Sequence, residues 1–397
     1  MHSILGFIQI VAAVGTVSSS LYYFLCLWSA AKFLRERKSA NQASPQEIQQ
    51  PAIPVEIFPA VSILKPLKGT DPEMYESFRS HCLQDYPEYE IIFGVSDPDD
   101  PAIESVKNLQ REFPDRVIQL VVCPKILGTN VKVSNLAQML PEARHDYLVV
   151  NDSDIRVEPD YLRRVTEKLG KAQVGMVTCL YRGVAVATMG SRLEALGIGT
   201  DFCPSVLAAR ELEGIHFGLG STLAFRRAEL QKIGGFAAIV DYLADDYELG
   251  KRIAGLGLAV ELSHVVVETY LPSYTLKEFW AHQLRWARGV RDARAGGYMG
   301  LIFTFGTLWA LMALVAGRGA LWACAAAAVT LVLRFAVAWF VGWKVLKDRQ
   351  VFQQVWLVPL RDLVAVAIWI ASLAGHDVTW RGERFHLQNG KLSRIPP

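Results

Sequence analysis

The chain has few of the residues that mark several common classes of protein. Only 20% of its 397 residues are charged and the formal net charge is +2, which excludes a strongly basic nucleic-acid-binding protein. Its six cysteines show no C-x-x-C spacing, and we interpret them as free thiols in a reducing compartment. There is no Gly-x-Gly-x-x-Gly motif opening a helix, no Walker motif and no serine or cysteine hydrolase signature, so dinucleotide-binding, P-loop and hydrolase interpretations lack support.

Hydrophobic residues, in contrast, are abundant, and the charge is unevenly distributed. They make up 51% of the chain, and the mean hydropathy of +0.22 fits neither a purely soluble enzyme nor a polytopic transporter. Residues 1–38 carry +3, 39–274 carry −10, 275–298 carry +3 and 299–397 carry +6. An acidic body therefore lies between basic flanks, and the flanks contain the long apolar runs.

The first apolar run extends from Ile4 to Ala31, long enough to cross about 30 Å of hydrocarbon, which needs about 20 residues. A cleaved signal peptide is the alternative, but such peptides carry basic residues ahead of the run, and none is present here. Four basic residues follow it instead, and by the positive-inside rule they keep the next segment in the cytoplasm: Lys32, Arg35, Arg37 and Lys38. We predict an uncleaved anchor with its N-terminus outside.

Three more apolar runs lie in the C-terminal third, at Tyr298–Ala316, Ala320–Trp343 and Val355–Ala374. Arg334 interrupts the second run, and an ionisable side chain at that depth is expected to face protein or water rather than lipid. The third run either spans the membrane or is re-entrant or interfacial, because it contains Pro359, Arg361 and Asp362. The side of the membrane on which the C-terminus lies stays open.

The acidic body alternates short β-rich runs with helix-compatible segments. This spacing is typical of βαβ units and predicts an α/β domain with a parallel sheet covered on both faces. Ligands of such sheets bind at the carboxyl ends of the strands, where the functional residues are therefore expected. The predicted strands begin near residues 61, 90, 117 and 146, and the predicted helices cover 72–84, 101–113 and 131–143.

Acidic residues follow two of the predicted strands, as Ser96–Pro101 and Asn151–Asp154. Asp152 and Asp154 are two residues apart in a strand-end turn, so both carboxylates can face one cation. Such hard oxygen ligands suit Mg²⁺ or Mn²⁺ shared with phosphate oxygens. A solvated turn is the alternative for a bare Asp-x-Asp, and the strand before it favours the metal site.

A second acidic segment, Ala244–Glu248, opens a predicted helix that runs to about Ala254. Its carboxylates either interact with the helix dipole or supply a general base for an acceptor hydroxyl. Small residues in His216–Ser221 form either a tight turn or a place where the backbone approaches the acceptor closely.

The stretch from Lys277 to Arg294 is basic and aromatic and precedes a membrane run. We predict an amphipathic interfacial helix facing anionic headgroups, with an ordinary solvated basic face as the alternative. Some of its arginines, which recur every three residues, could instead point inward at a diphosphate: Arg285, Arg288, Arg291 and Arg294.

Taken together, these motifs resemble those of the ceramide glucosyltransferase family of GT-A glycosyltransferases. Within that group the chain looks closest to bacterial hopanoid-biosynthesis glycosyltransferases, which transfer N-acetylglucosamine. The similarity covers residues 60–290, the N-terminal anchor, the C-terminal hydrophobic region and the tail. The strings that carry it include Leu64-Lys65-Pro66-Leu67-Lys68-Gly69, Gly128-x-Asn130-x-Lys132, Asp152-Ser153-x-Ile155-Arg156-Val157, Asp245-Asp246-Tyr247 and Leu284-Arg285-Trp286-Ala287-Arg288.

The resemblance implies a GT-A (Rossmann-like, mostly parallel) catalytic domain and a role for each matching residue. Asp97 would contact the uridine end of a UDP-sugar, Asp152 and Asp154 would hold the divalent metal, and Asp246 would be the general base. The donor-binding residues would be Asp97, Asp152, Lys132, Arg285 and Trp286, with less certain roles for Asp245, His282 and Lys65. At position 282 the family has Gln or Arg, so histidine here departs from its pattern.

The predicted function is an inverting, multi-pass membrane glycosyltransferase that adds one N-acetylglucosamine or glucose to a lipid hydroxyl. A hopanoid acceptor is favoured and ceramide is the alternative, followed by a processive polysaccharide synthase or an inactive lipid-binding scaffold. The bacterial inner membrane with a cytoplasmic catalytic domain is the expected location. The predicted segments are an N-terminal transmembrane anchor (1–33), a linker (34–59), the catalytic domain (60–274), the interfacial helix with the Arg-Trp motif (275–297), C-terminal membrane helices (298–375) and a tail (376–397).

Overall fold

The structure is a computed structural model that describes residues 2–42, 58–380 and 382–395. Most of the predicted linker over 34–59 and the tail residue Arg381 lie outside the described residues. The chain forms two compact units, which we call the sheet unit and the helical unit. The sheet unit comprises Asn41–Val184, Ile215–Pro272 and Gly390–Pro397, and the helical unit comprises Met1–Ala40, Ala185–Gly214 and Ser273–Asn389.

Fifteen α-helices are present in the described part of the chain. They are α1 (His2–Gln42), α2 (Met74–Cys82), α3 (Ala102–Glu112), α4 (Val131–Met139), α5 (Tyr161–Leu169), α6 (Met189–Gly197), α7 (Cys203–Leu212), α8 (Arg227–Lys232), α9 (Asp245–Ala254), α10 (Leu276–Ala293), α11 (Ala295–Gly300), α12 (Gly306–Ala316), α13 (Leu321–Trp339), α14 (Arg349–Gln354) and α15 (Val358–Ser372).

An eight-stranded sheet forms the centre of the sheet unit. Its spatial order is 3-2-1-4-7-6-8-5 for strands numbered along the chain. The strands are β1 (Val61–Leu67), β2 (Tyr89–Val95), β3 (Val117–Val122), β4 (Tyr147–Val150), β5 (Ile155–Arg156), β6 (Val174–Val184), β7 (Leu223–Arg226) and β8 (Ala259–Tyr270). The helical unit contains β9 (Asp377–Trp380) and β10 (Glu383–Gln388), which form an antiparallel pair, and β11 (Lys391–Arg394) belongs to the sheet unit.

The first half of the sheet follows the predicted βαβ pattern. Strands β3, β2, β1 and β4 are mutually parallel, and helices α2, α3 and α4 fall within the segments predicted as helical. Every residue of β1 and β2 is buried, as expected for Val- and Ile-rich strands covered on both faces. The mostly parallel α/β prediction is therefore confirmed, although β7 enters the sheet antiparallel to both β4 and β6.

Among the described residues of the helical unit, three helical segments are long and apolar enough to cross a membrane. They are Ile4–Ala40, Leu321–Val345 and Arg349–Ser372, with mean hydropathies of 1.8, 2.1 and 1.7. These segments contain the predicted N-terminal run, most of the second C-terminal run and most of the third. The predicted run Tyr298–Ala316 differs, because it is bent by 48° between Ala295–Thr304 and Gly306–Ala316, which makes it a broken span or a re-entrant loop.

A tyrosine of α1 stabilises this bend. The hydroxyl of Tyr23 donates to the carbonyl of Thr304 at 3.1 Å and accepts from the amide of Gly306 at 3.0 Å. Backbone groups released from a helix in an apolar environment need such replacement partners. A Cβ atom at Gly306 would lie 2.5 Å from the Tyr23 ring, so only glycine permits this contact without a shift.

Arg334 of α13 faces protein, one of the two surroundings, protein or water, that the sequence predicts for it. It is 2% exposed, and it donates to the Asp362 carboxylate at 2.6 Å and to the Thr200 carbonyl at 2.8 Å. Asp362, one of the polar residues that interrupt the last apolar run, also accepts from the hydroxyl of Thr307 at 2.5 Å. The charges of Arg334 and Asp362 thus neutralise each other inside the helical unit.

Candidate active site

The Asp152–Asp154 turn begins where β4 ends, at the carboxyl edge of the parallel strands. Asn151 fixes the start of the turn, because its side-chain amide donates to the Ser221 carbonyl at 2.7 Å and to the Tyr161 hydroxyl at 3.0 Å. Lys65 reaches the turn from β1 and donates from Nζ to the Asp152 carbonyl oxygen at 2.9 Å. Lys65 therefore contacts the backbone of the turn and holds it in place.

Asp154 is partly buried on the side of the turn that faces β8. Its Oδ2 accepts from the Thr269 hydroxyl at 2.5 Å. Burial, and next the negative charge of Asp152, raise the pKa of Asp154 to about 7. Two carboxylates held close together in this way favour a bound cation, which relieves their mutual repulsion.

Asp245 and Asp246 open α9, as the sequence predicts. The Asp246 Oδ1 accepts from the amide of Tyr247 at 2.8 Å, and its backbone carbonyl accepts from the amide of Gly218 at 3.1 Å. Burial, and next the charge of Asp245, raise the pKa of Asp246 to about 6. A carboxylate with such a pKa is ionised at neutral pH and accepts a proton more readily than an ordinary aspartate.

Gly220 shows that the two acidic segments meet. A Cβ atom placed on this glycine would lie 3.1 Å from Oδ2 of Asp152 and 3.3 Å from Oδ2 of Asp246. The Asp152 and Asp246 carboxylates therefore both approach the same backbone position. We noted the small residues of His216–Ser221 from the sequence as a turn or an acceptor contact, but not the need for glycine between two carboxylates.

Lys132 joins the two acidic segments directly. From the first turn of α4 its Nζ lies 2.8 Å from Oδ1 of Asp152 and 3.1 Å from Oδ2 of Asp245. Burial opposes the charged form, but the surrounding carboxylates outweigh it and hold the pKa of Lys132 above its ordinary value. Asn130 caps the helix, accepting from the Val133 amide at 3.2 Å, and its own amide donates to the Asp245 carboxylate at 3.4 Å.

Asp97 lies in the turn after β2 and is exposed, with its Oδ1 accepting from the Asp99 amide at 2.9 Å. Strand β1 separates β2 from β4, so Asp97 and Asp152 follow strands about 10 Å apart at the same edge. The neighbouring Asp100 has a structural role instead: both of its carboxylate oxygens accept a hydrogen bond from the backbone amide of Gly69.

His282, Arg285 and Trp286 lie together on α10 of the helical unit. The Arg285 guanidinium lies 5.7 Å from the centre of the Trp380 ring, a cation–π contact. The Trp286 ring meets the Phe202 ring edge-on, with centroids 6.2 Å apart. Their predicted roles at the donor nucleotide stay predictions.

His282 is packed among side chains of its own unit. Its ring stacks on Tyr274 at 5.3 Å and lies 5.4 Å from Trp286. Its Nδ1 is 3.6 Å from Oε1 of buried Glu194, whose other oxygen accepts from Gln283 at 2.8 Å. These contacts give the histidine a packing role, which sequence inspection did not find.

The other three regularly spaced arginines, two in α10 and one directly after it, also contact protein groups. Arg288 donates to the Ala374 carbonyl and Arg291 to the Gly375 carbonyl, both at 2.8 Å, and Arg294 pairs with Glu213. The first two thereby satisfy carbonyls near the end of α15, where a positive charge is favourable. These contacts do not test whether residues 275–297 lie at the membrane surface, so that position stays a prediction.

The carboxylates of this site have the chemistry to bind a metal ion together with a phosphate-containing ligand. Within the described ranges, no group of three or more His, Cys, Asp or Glu side chains is placed to hold a metal ion. Asp152 and Asp154 could supply two carboxylates to a divalent cation, and phosphate oxygens of a bound nucleotide would complete its coordination. This is the arrangement expected when metal and nucleotide bind together.

A family model described as glycosyl transferase family 21 matches residues 11–393. Ceramide glucosyltransferase 3 of Caenorhabditis elegans is 25% identical over 355 residues, which cover 84% of this chain and 74% of that protein. Ceramide glucosyltransferase 1 of the same organism is 25% identical over 58% of this chain, and the match spans half of that protein's length.

A solved structure shows that the fold is shared more widely. The mannosyltransferase PcManGT of Pyrobaculum calidifontis, in complex with GDP-Man and Mn²⁺, has a TM-score of 0.54 with this chain at 19% identity, covering 93% of this chain and 99% of the mannosyltransferase. This likeness in fold agrees with the predicted GT-A class. Because the family model spans almost the whole sequence, the chain is a glycosyltransferase that belongs to glycosyl transferase family 21.

Proposed function

We propose that this enzyme is a membrane-bound, inverting glycosyltransferase that transfers one sugar from a UDP-sugar to a hydroxyl of a membrane lipid. The observation that carries the proposal is the contact of two acidic segments around Gly220 and Lys132 in a chain of this family. One segment has the chemistry to bind a metal–diphosphate and the other the chemistry to accept a proton.

The donor would lie at the carboxyl edge of the sheet. Asp97 would bind the uridine end, while Asp152 and Asp154 would hold Mg²⁺ or Mn²⁺ on the diphosphate. When bound, the metal would neutralise the negative charge that grows on the departing UDP. Lys65 supports this arrangement because it anchors the backbone of the Asp152 turn.

Asp246 would act as the general base. Its Oδ1 accepts from a backbone amide, whereas Oδ2 points towards Gly220 and would receive the proton of the lipid hydroxyl. The hydroxyl oxygen forms a bond to the anomeric carbon as the bond to the diphosphate breaks, and the electron pair of that bond leaves with UDP. Attack from the face opposite the leaving group inverts the anomeric configuration.

A membrane lipid is the acceptor class that fits three segments able to cross a membrane. N-acetylglucosamine transfer to a hopanoid is the specific proposal, supported by the sequence motifs, and glucose transfer to ceramide is the alternative, supported by the curated relatives. We place the enzyme in the bacterial inner membrane with the sheet unit in the cytoplasm. Roles for His282, Arg285 and Trp286 at the donor remain part of the proposal from the family motif.

Calorimetry with UDP and Mn²⁺ and an assay of UDP release test the assignment together. Asp246→Asn should abolish transfer and leave donor binding within a few-fold, whereas Asp152→Ala combined with Asp154→Ala should remove metal-dependent binding. Asp115→Asn, in an exposed turn, is the matched control and should behave like the unchanged enzyme. Near-normal turnover of the Asp246→Asn enzyme would refute the base assignment.

A further inference from the structure

Lys132 is placed where a cation would be expected to bind. Its side chain is only 18% exposed, and Nζ lies between an oxygen of Asp152 and an oxygen of Asp245. Lys65, which is fully buried, donates to the backbone carbonyl of Asp152 and not to its carboxylate. The Asp152 carboxylate therefore forms its ion pair with Lys132.

This ion pair conflicts with metal binding at Asp152. The ammonium group and a divalent cation are both positive, so they compete for the same carboxylate and repel each other at short range. The two can be bound together only if Lys132 finds a different anionic partner. The diphosphate of a sugar nucleotide offers one, because it brings negative charge into the site with the metal.

We propose that Lys132 is the internal counter-cation of the donor-free enzyme: it neutralises Asp152 until the metal enters with the nucleotide, and it then pairs with the diphosphate. The inference rests on the proposed function, since it assumes a metal–nucleotide site at Asp152. Its consequence is that free metal binds weakly and that metal and nucleotide bind cooperatively, each favouring the other.

The local structure permits a side-chain movement without a change of fold. The start of α4 is fixed, because the Asn130 amide donates to the carbonyl of Tyr242 at 2.8 Å. Asp245 is nearly buried at the start of α9 and can keep hold of Nζ while the lysine leaves Asp152. The four-carbon stem of lysine has the rotational freedom to make that change.

Binding of Mn²⁺ to the full-length protein in detergent micelles, followed through the electron paramagnetic resonance signal of free Mn²⁺, tests this directly. Without nucleotide, Lys132→Met should tighten Mn²⁺ binding by about tenfold, a change of about 1.4 kcal/mol. Lys132→Arg retains the charge and should bind Mn²⁺ like the unchanged protein. Lys125→Met removes an exposed lysine of the preceding loop and is the charge-matched control, with no expected change.

A second arm repeats the titration with saturating UDP. Here Lys132→Met should weaken Mn²⁺ binding, because the diphosphate has lost its ammonium partner. With UDP present, the unchanged protein should therefore bind Mn²⁺ more tightly than Lys132→Met, the reverse of the result without UDP. Thermal unfolding provides a further readout: Mn²⁺ alone should raise the unfolding temperature of Lys132→Met more than that of the unchanged protein. Lys132→Gln should give the same pattern, and it serves if the methionine variant does not fold.

Mn²⁺ binding that is unchanged or weaker in Lys132→Met and Lys132→Gln without nucleotide would overturn the inference. If the unchanged protein still binds Mn²⁺ with UDP in that case, the proposed function stands and only the role of Lys132 is refuted. If the unchanged protein binds neither Mn²⁺ nor UDP, the proposed function and the inference fail together.

Discussion

A single methyl group at Gly220 should impair the chemistry while leaving the fold intact. The added Cβ of a Gly220→Ala enzyme would lie 3.1 Å from Oδ2 of Asp152 and 3.3 Å from Oδ2 of Asp246, closer than ordinary carbon–oxygen contacts. One or both carboxylates must then move by a few tenths of an ångström. A displacement of 1 Å at reacting groups can cost about a hundredfold in rate, so we expect kcat/KM to fall about tenfold.

Steady-state UDP release, together with thermal unfolding, separates this effect from loss of structure. The backbone angle φ of Gly220 is not positive, so alanine is compatible with the conformation and the unfolding temperature should change little. Gly170→Ala is the matched control, because its Cβ would make only ordinary contacts, the shortest at 3.5 Å. Full activity of the Gly220→Ala enzyme would show that the Asp152 and Asp246 carboxylates are not the reacting pair.

Two further predictions concern ionisable groups. The Asp246 carboxyl must be ionised to accept a proton. At saturating metal and donor, where the bound metal would keep Asp154 ionised, kcat should be retained above pH 6 and fall as the pH drops below about 6. Asp245→Asn should move that fall to lower pH, because it removes a negative charge that raises the pKa of Asp246; an unmoved fall would assign the titration to another group. Arg334→Met should lower the free energy of unfolding by about 3 kcal/mol or more, since it leaves the Asp362 carboxylate buried without its partner. Combining it with Asp362→Leu should restore part of the loss in thermal unfolding, and no recovery would mean that the pair is not the cause.

Local sequence patterns were sufficient to predict the strands of the first half of the sheet and the acidic turns. Strands β1 to β4 are apolar runs at regular spacing with helical segments between them, so they could be predicted as parallel βαβ units, whereas their spatial order of 3-2-1-4 was not predicted. The antiparallel entry of β7 beside β4 was not predicted, because a four-residue strand carries too little pattern to fix its partner. The start of α9 at Asp245 was predicted because acidic residues are typical of a helix N-terminus.

Contacts between distant segments are what sequence inspection could not supply. Sequence analysis predicted that Arg334 faces protein or water, but its partner Asp362 is 28 residues away and was recognised only as a polar interruption of another apolar run. The bend after Thr304 contains no proline that would have predicted it. The backbone groups at the bend instead form hydrogen bonds with Tyr23, which lies far away in the sequence on α1. Likewise, Lys132 was predicted to bind the donor, whereas its contacts with two separate aspartates appear only when α4 and α9 are placed in space.

Mass spectrometry of lipids tests the central claim most directly. The full-length protein is expressed in a host that supplies both hopanoids and ceramides, and the glycolipids are compared with those made by the Asp246→Asn protein. We predict one lipid class that gains the mass of a single hexose or N-acetylhexosamine with the unchanged protein and no such product with the variant. A ladder of longer glycans, or equal amounts of glycolipid from both proteins, would contradict the account.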